Sequence, residues 1–161
     1  MSQSAPTSAL PKLQNARIAI VRAEWNDDIT SALTRSAVDT LKAAGIPDDD
    51  IRVFDVPGAV ELTFAASMII ESEAFDAVIV FGCVIRGGTP HFDYVCQSVT
   101  QGITQLNADC ETPVIFGVLT VDNHQDALDR VNNGPMGDKG REAAQTAIKM
   151  IDFTRKVREM Y

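Results

Sequence analysis

The sequence predicts a three-layer α/β/α sandwich, in which helices cover both faces of a four-stranded parallel sheet. Four short runs of apolar, mostly β-branched residues alternate with segments in which apolar residues recur at helical spacing. Strands that are apolar along their whole length are buried on both faces, and their alternation with helices is typical of a parallel sheet. A chain of 161 residues is long enough to form one such domain around a substantial core.

The predicted strands are the four apolar runs. Pro57 and Gly58 follow the second run, and Pro113 precedes the fourth. Central strands disfavour these residues, so they mark the end of the second strand and the start of the fourth. The predicted strands cover residues 17–21, 51–54, 77–85 and 114–119.

Helices are predicted wherever apolar residues recur at three- and four-residue steps. In the first helix, Ile29, Leu33 and Ala37 lie on one face, and Gly45 ends the helix. The predicted helices cover residues 29–44, 60–72, 91–106 and 124–131, and a long last helix begins near residue 139.

Composition narrows the class of protein. We expect residues 1–15 to form a flexible N-terminal arm and residues 16–161 a single domain. The net charge of −8, with no run of lysine or arginine, argues against nucleic acid as a ligand. Three cysteines without metal-ligand spacing predict no metal site and fit a reducing compartment. The first ten residues resemble no signal or transit peptide, and no stretch is long enough to span a membrane, so we expect a cytoplasmic protein.

The glycine-rich segment after the third strand is the first candidate site. Ligands of parallel α/β sheets bind beyond the carboxyl ends of the strands, here after residues 21, 54, 85 and 119. Gly87, Gly88 and Thr89 precede a predicted helix N-terminus, which offers unpaired N–H groups to a phosphate. His91 could transfer a proton there, or it could be a polar helix cap.

Each of the first two strands is also followed by candidate ligand-binding residues. Trp25 offers a stacking surface for a flat heterocycle, although it could equally be an aromatic at the edge of the core. Asn26 could bind a ring edge and Glu61 a polyol, but helix capping is the favoured interpretation for both residues.

Other residues suggest weaker hypotheses. Composition places Phe116 in a core strand, whereas Arg130 and Lys139 could each bind a phosphate or be solvated cations. A nucleophilic Cys–His pair of Cys83 or Cys96 with His91 is a competing idea, but cysteines in apolar segments are mostly inert.

Several segments together resemble the lumazine synthases. The resemblance extends from residue 18 to about residue 151, and its most specific segment is Gly-Cys-Val-Ile-Arg-Gly-Gly-Thr-Pro-His-Phe-Asp-Tyr-Val at residues 82–95. The other matching segments are residues 25–26, 56–61, 113–120, 125–130 and 137–140. Trp25 stands where many members have phenylalanine, and Thr63 replaces a common proline. Residues 132–136 lengthen the loop before Lys139, and the length of this loop determines how far that side chain can reach.

This resemblance implies a flavodoxin-like fold and a condensation that needs no cofactor. The substrates would be 5-amino-6-(D-ribitylamino)uracil and 3,4-dihydroxy-2-butanone 4-phosphate, and the product 6,7-dimethyl-8-ribityllumazine. The resemblance assigns the uracil and its ribityl chain to Trp25, Asn26, Ala59, Val60, Glu61, Cys83, Val84, Ile85 and Phe116. It assigns the phosphate to Gly88, Thr89, Arg130 and Lys139, and the donated proton to His91.

The family's assembly suggests further expectations. Members form pentamers, and some stack into decamers or sixty-subunit capsids, with Phe116 and Arg130 reaching the site of a neighbouring subunit. The N-terminal arm could add a strand to the neighbour's sheet, and riboflavin synthase is a candidate partner. Two alternatives remain open: a non-catalytic binder of lumazine or flavin, and a structural shell protein.

Overall fold

The computed structural model describes residues 8–161 and contains one parallel sheet. Its strands pair in the order β2-β1-β3-β4, and all three pairings are parallel. The strands are Ile18–Ala23 (β1), Ile51–Val56 (β2), Ala77–Ile85 (β3) and Val114–Val121 (β4). The predicted four-stranded parallel sheet is therefore confirmed.

Five α-helices alternate with these strands. They are Asp27–Ala43 (α1), Leu62–Glu71 (α2), His91–Asp109 (α3), His124–Leu128 (α4) and Lys139–Arg158 (α5). The helix expected from residue 60 begins at Leu62, because Ala59–Glu61 form a short 3-10 turn. The helix expected to reach residue 131 ends at Leu128, and the chain then turns through Asn132 and Asn133, whose φ angles are 53° and 56°.

Two hydrophobic clusters give the domain its three layers. Ile18 and Ile20 on β1 point into the cluster that includes residues of α1, α4 and α5. Ala19 and Val21, which alternate with them, point into the cluster shared with α2 and α3. Both faces of the sheet are thus covered, as the continuous apolar runs predict.

The described part of the predicted arm lies against the last helix. Residues 8–15 form no helix or strand, and Leu10 and Leu13 pack against the core. Arg155 on α5 donates a hydrogen bond to the Gln14 carbonyl oxygen at 2.7 Å. Residues 1–7 lie outside the described part of the chain, and a strand shared with a neighbouring subunit stays a prediction. Among the helices of residues 8–161, none combines the length and the apolar character needed to cross a membrane.

Close packing positions the N-terminus of α5 against α1. Asp138 is almost fully buried, caps α5 by accepting a hydrogen bond from the Arg141 N–H, and accepts another from the Ser36 hydroxyl at 2.8 Å. A Cβ atom at Gly140 would overlap the carbonyl oxygen of Leu33 on α1. The first turn of α5, which begins at Lys139, is therefore held in place by α1.

We expect Gly140→Ala to lower the free energy of unfolding by about 1–3 kcal/mol, because the added methyl group forces α1 and α5 apart. Urea denaturation at a fixed protein concentration measures this change. Gly87→Ala is the matched control, because a Cβ atom there would meet nothing within 4 Å. Equal stability of the two variants would contradict the close approach of the helices.

Candidate active site

The loops that follow β1 and β2 run side by side at the carboxyl edge of the sheet. The Glu24 N–H donates to the Val56 carbonyl oxygen at 2.8 Å, and the Trp25 N–H donates to that of Pro57 at 3.1 Å. The backbone pairing of the strands therefore continues into their loops. It brings together two of the segments in which the sequence predicts ligand contacts.

Trp25 presents a largely free aromatic surface next to Gly58. Its side chain is 74% exposed, which is unusual for the only tryptophan of the chain. A Cβ atom at Gly58 would lie 3.2 Å from Trp25 Cδ1 and 3.4 Å from Glu61 Oε2. The absence of a side chain at residue 58 thus lets the indole and the carboxylate approach each other. The exposed indole differs from the alternative of an aromatic at the edge of the core.

Arg22 anchors the loop that carries Trp25, and the sequence analysis did not single it out. Its guanidinium donates to Asp55 on β2 and to Asp27 and Ser31 on α1. The hydrogen bond to Asp55 raises the pKa of Arg22, and the Ser31 hydroxyl, followed by Arg22, lowers the pKa of Asp27. The one signal in the sequence was a basic residue directly after an apolar run.

Asn26 connects this loop to β3. It occupies the position before α1 with a φ angle of 59°, but its side chain makes no capping hydrogen bond. Instead, Nδ2 donates to the Cys83 carbonyl oxygen at 2.7 Å. Asn26 therefore takes the N-cap position that the capping interpretation predicts, but its side chain bonds to β3 rather than to the helix.

The end of β3 carries backbone groups that β1 does not pair. β1 pairs with β3 only as far as Arg22 and Phe81, whereas β3 continues to Ile85 alongside β4. Because backbone groups alternate in direction along a strand, Ile85 directs its N–H and C=O to the same side as Cys83. That edge can offer hydrogen bonds to a planar ligand held over the loops.

Glu61 lies in the 3-10 turn before α2, with its carboxylate next to Gly58. Glu61 occupies the position before α2, as a helix cap does, but its side chain makes no capping hydrogen bond and is exposed. Ala59 is buried beneath it, and Val60 is 51% exposed. The 3-10 turn therefore presents one apolar and one acidic side chain to solvent at the site.

The surroundings of the cysteines argue against a thiol nucleophile. Burial, followed by the negative charge of Asp28, raises the pKa of Cys83 to about 12. Burial, followed by the charge of Asp93, also raises the pKa of Cys96. Both thiols are thus neutral near pH 7, whereas a nucleophilic cysteine needs its thiolate.

His91 is the first residue of α3 and is exposed. Its backbone N–H donates weakly to the Thr89 hydroxyl at 3.4 Å, so Thr89 lies directly before the helix N-terminus. Gly87 and Gly88 are exposed, and Cβ atoms there would meet nothing within 4 Å. The segment thus leaves open space in front of the partial positive charge of a long helix.

A second group of predicted site residues lies along β4 and α5. Phe116, Arg130 and Lys139 line an open groove of about 960 Å³ between these two elements. The Lys139 N–H donates to the Arg130 carbonyl oxygen at 2.9 Å, which brings the two cationic residues together. Lys139 Nζ lies 3.1 Å from Glu142 Oε2, and Arg130 Nη1 donates to the Asp126 carbonyl oxygen at 2.6 Å.

Phe116 is 43% exposed, so its prediction as a core residue was wrong. β4 is the last strand in the sheet order, and Phe116 and Thr120 on it face solvent. Composition cannot reveal this, because an edge strand has the same apolar sequence as a central strand.

The two groups of residues belong to different surfaces of one folded chain. None of the residues of the first group, from Trp25 to His91, lines the groove beside β4. Phe116, Arg130 and Lys139 therefore share a surface that the residues of the first group do not line.

Comparison with known proteins places this arrangement in a family. Residues 15–155 match the family described as 6,7-dimethyl-8-ribityllumazine synthase. Relatives with that name include a protein of Phocaeicola vulgatus, 50% identical over 94% of this chain and 90% of its own length. One from Porphyromonas gingivalis is 52% identical over 91% of each chain. One from Bacteroides fragilis is 53% identical over 85% of this chain and 95% of its own. The chain therefore belongs to the 6,7-dimethyl-8-ribityllumazine synthase family.

Proposed function

We propose that the chain condenses 5-amino-6-(D-ribitylamino)uracil with 3,4-dihydroxy-2-butanone 4-phosphate in riboflavin biosynthesis. The product is 6,7-dimethyl-8-ribityllumazine, and phosphate and water are released. The observation that carries the proposal is the convergence of an exposed indole, an unpaired strand end and an open helix N-terminus at one edge of the sheet. These three features suit a flat ring, its polar edge and a phosphate.

The uracil and its ribityl chain bind across the loops after β1 and β2. Trp25 stacks on the pyrimidine, while the backbone groups of Ile85 at the end of β3 bind its edge and Val84 lies beside them. Asn26 supports this surface through its bond to the Cys83 carbonyl. Glu61, with its carboxylate next to Gly58, accepts hydrogen bonds from the ribityl hydroxyls, and Ala59 and Val60 lie along that chain.

The phosphate of the second substrate binds at Gly88 and Thr89. Unpaired N–H groups and the dipole of α3 favour an anion at this position. Arg130 from a neighbouring subunit supplies the countercharge, and Lys139 accompanies it because its backbone is bonded to that of Arg130. A guanidinium suits this role because its fork of donors matches phosphate oxygens.

Assembly completes the site. Since Phe116 and Arg130 lie apart from the first group, a second copy must supply them, and the free edge of β4 with its groove is the surface at which copies meet. The assembly is a homopentamer or a multiple of it. Riboflavin synthase is a candidate partner, because it would consume the product, and the cytoplasm is the proposed location.

The chemistry needs little beyond positioning. The amine attacks the ketone, and a Schiff base forms with loss of one water. Phosphate is then eliminated, and ring closure with loss of a second water completes the product, without a cofactor. Holding two reactive partners together supplies most of the acceleration. His91 adds proton transfer, which contributes on the order of 10²-fold. The reaction belongs to the transferase class.

The test of this function is direct. Purified protein is mixed with both substrates, and the absorbance band of the lumazine is followed with time. Tight binding of lumazine or riboflavin without turnover would refute the proposal and indicate a binding protein. Large particles without turnover would refute it in favour of a shell protein. Size-exclusion chromatography of the same sample measures the assembly.

His91→Ala should leave a slow but measurable enzyme, with kcat reduced on the order of 10²-fold, because positioning remains intact. Steady-state kinetics measure the change, and His124→Ala provides the matched control at the other histidine of the chain. Complete loss of turnover in a folded variant that still binds both substrates would contradict the proposal that positioning supplies most of the acceleration and His91 a smaller part.

Arg130→Ala should weaken the phosphorylated substrate by about ten- to a hundredfold, because a charge-assisted hydrogen bond is lost. The affinity for the uracil should change far less. Isothermal titration with each substrate analogue measures both affinities, and Arg158→Ala, which removes a surface partner of Glu111, is the control. Equal weakening of both ligands would be incompatible with the assigned role.

A further inference from the structure

Arg86 joins the glycine-rich segment to the end of β4. It follows the last residue of β3, and its backbone N–H donates to the Val121 carbonyl oxygen at 2.9 Å. Its Nε donates to Asp122 Oδ1 at 2.8 Å. This carboxylate is the main reason that the pKa of Arg86 is raised. The side chain is therefore a permanent cation with a fixed partner on one side.

The other side of the guanidinium contacts the first turn of α3. Its central carbon lies 4.4 Å from the centre of the Phe92 ring, in the geometry of a cation–π contact. Nη1 lies 3.6 Å from Asp93 Oδ1. Phe92 and Asp93 directly follow His91, so Arg86 contacts the two side chains next to the proposed proton donor.

The first turn of α3, residues 91–94, lies ahead of the part of the helix that packs against the core, which begins at Val95. The fully or nearly fully buried residues of α3 are Val99 and Ile103, two or more turns further along the helix. Cβ atoms at Gly87 and Gly88 would meet nothing within 4 Å, and the His91 N–H donates to the Thr89 hydroxyl at a long 3.4 Å. The direction in which the His91 imidazole points therefore depends on the contacts that the first turn of α3 makes. Among these, the contacts of Arg86 link the turn to the end of β3.

We propose that Arg86 is a positioning residue for His91, which holds Phe92 and Asp93 so that the imidazole stands over the substrate at Gly88 and Thr89. This inference rests on the proposed function. A planar guanidinium can stack on a ring with its face while its edge bonds to Asp122 and Asp93. Lysine carries the same charge but can make only one of these contacts well.

The test is a double-mutant cycle with Arg86→Lys and His91→Ala. Arg86→Lys alone should lower kcat about tenfold, with the KM of each substrate changed less than about threefold, because binding residues are untouched. In the His91→Ala background, Arg86→Lys should cause no further loss, since the side chain that it positions is gone. A merely structural role would lower kcat by the same factor in both backgrounds, and that result would overturn the proposal.

Two further variants keep the test decisive. If Arg86→Lys does not fold, Asp122→Asn removes only the neutralising partner, and its effect on kcat should likewise vanish in the His91→Ala background. Arg158→Lys changes a comparable arginine–carboxylate pair on the surface and should leave kcat unaltered. A wild-type chain without turnover would refute both the function and this inference. Wild-type turnover that depends on His91 but not on Arg86 would refute the inference alone.

Discussion

The candidate site depends on one mismatch in strand length. β3 extends four residues beyond its last pairing with β1, while β4 follows it to the end. Buried peptide groups need partners, so the loop after β1 must supply them. Asn26, which has a left-handed backbone, does so for Cys83, and Trp25 beside it lies outside the core. The remaining peptide groups are left for a ligand.

The sequence was sufficient to predict the layers but not the fine placement of polar side chains. Both ends of β3 were predicted correctly, because an apolar run between polar segments has only one stable position in a covered sheet. The capping interpretations placed Asn26 and Glu61 correctly before their helices but missed the absence of side-chain capping bonds, because such bonds depend on backbone angles and on partners from distant strands. Arg22 and Arg86 reach carboxylates more than thirty residues away, and no local pattern reveals such pairs.

Arginines around the candidate site fall into two kinds. Arg22 and Arg86 are each bonded to carboxylates and hold segments together. Arg130 differs, because among residues 8–161 its recorded side-chain bond is to a carbonyl oxygen rather than to an acid. In a chain of net charge −8, a guanidinium without an acidic partner keeps its full attraction for an anion. This supports the proposed role of Arg130 at the phosphate.

The separation of the two residue groups on one chain has a genetic consequence. A chain that lacks His91 still carries an intact Arg130, and a chain that lacks Arg130 still carries an intact His91. In the proposed assembly, a ring that mixes the two defective chains contains some sites between subunits at which one chain supplies an intact His91 and its neighbour supplies an intact Arg130. Two inactive alleles expressed together would then complement each other in part, whereas two alleles damaged in the same half would not.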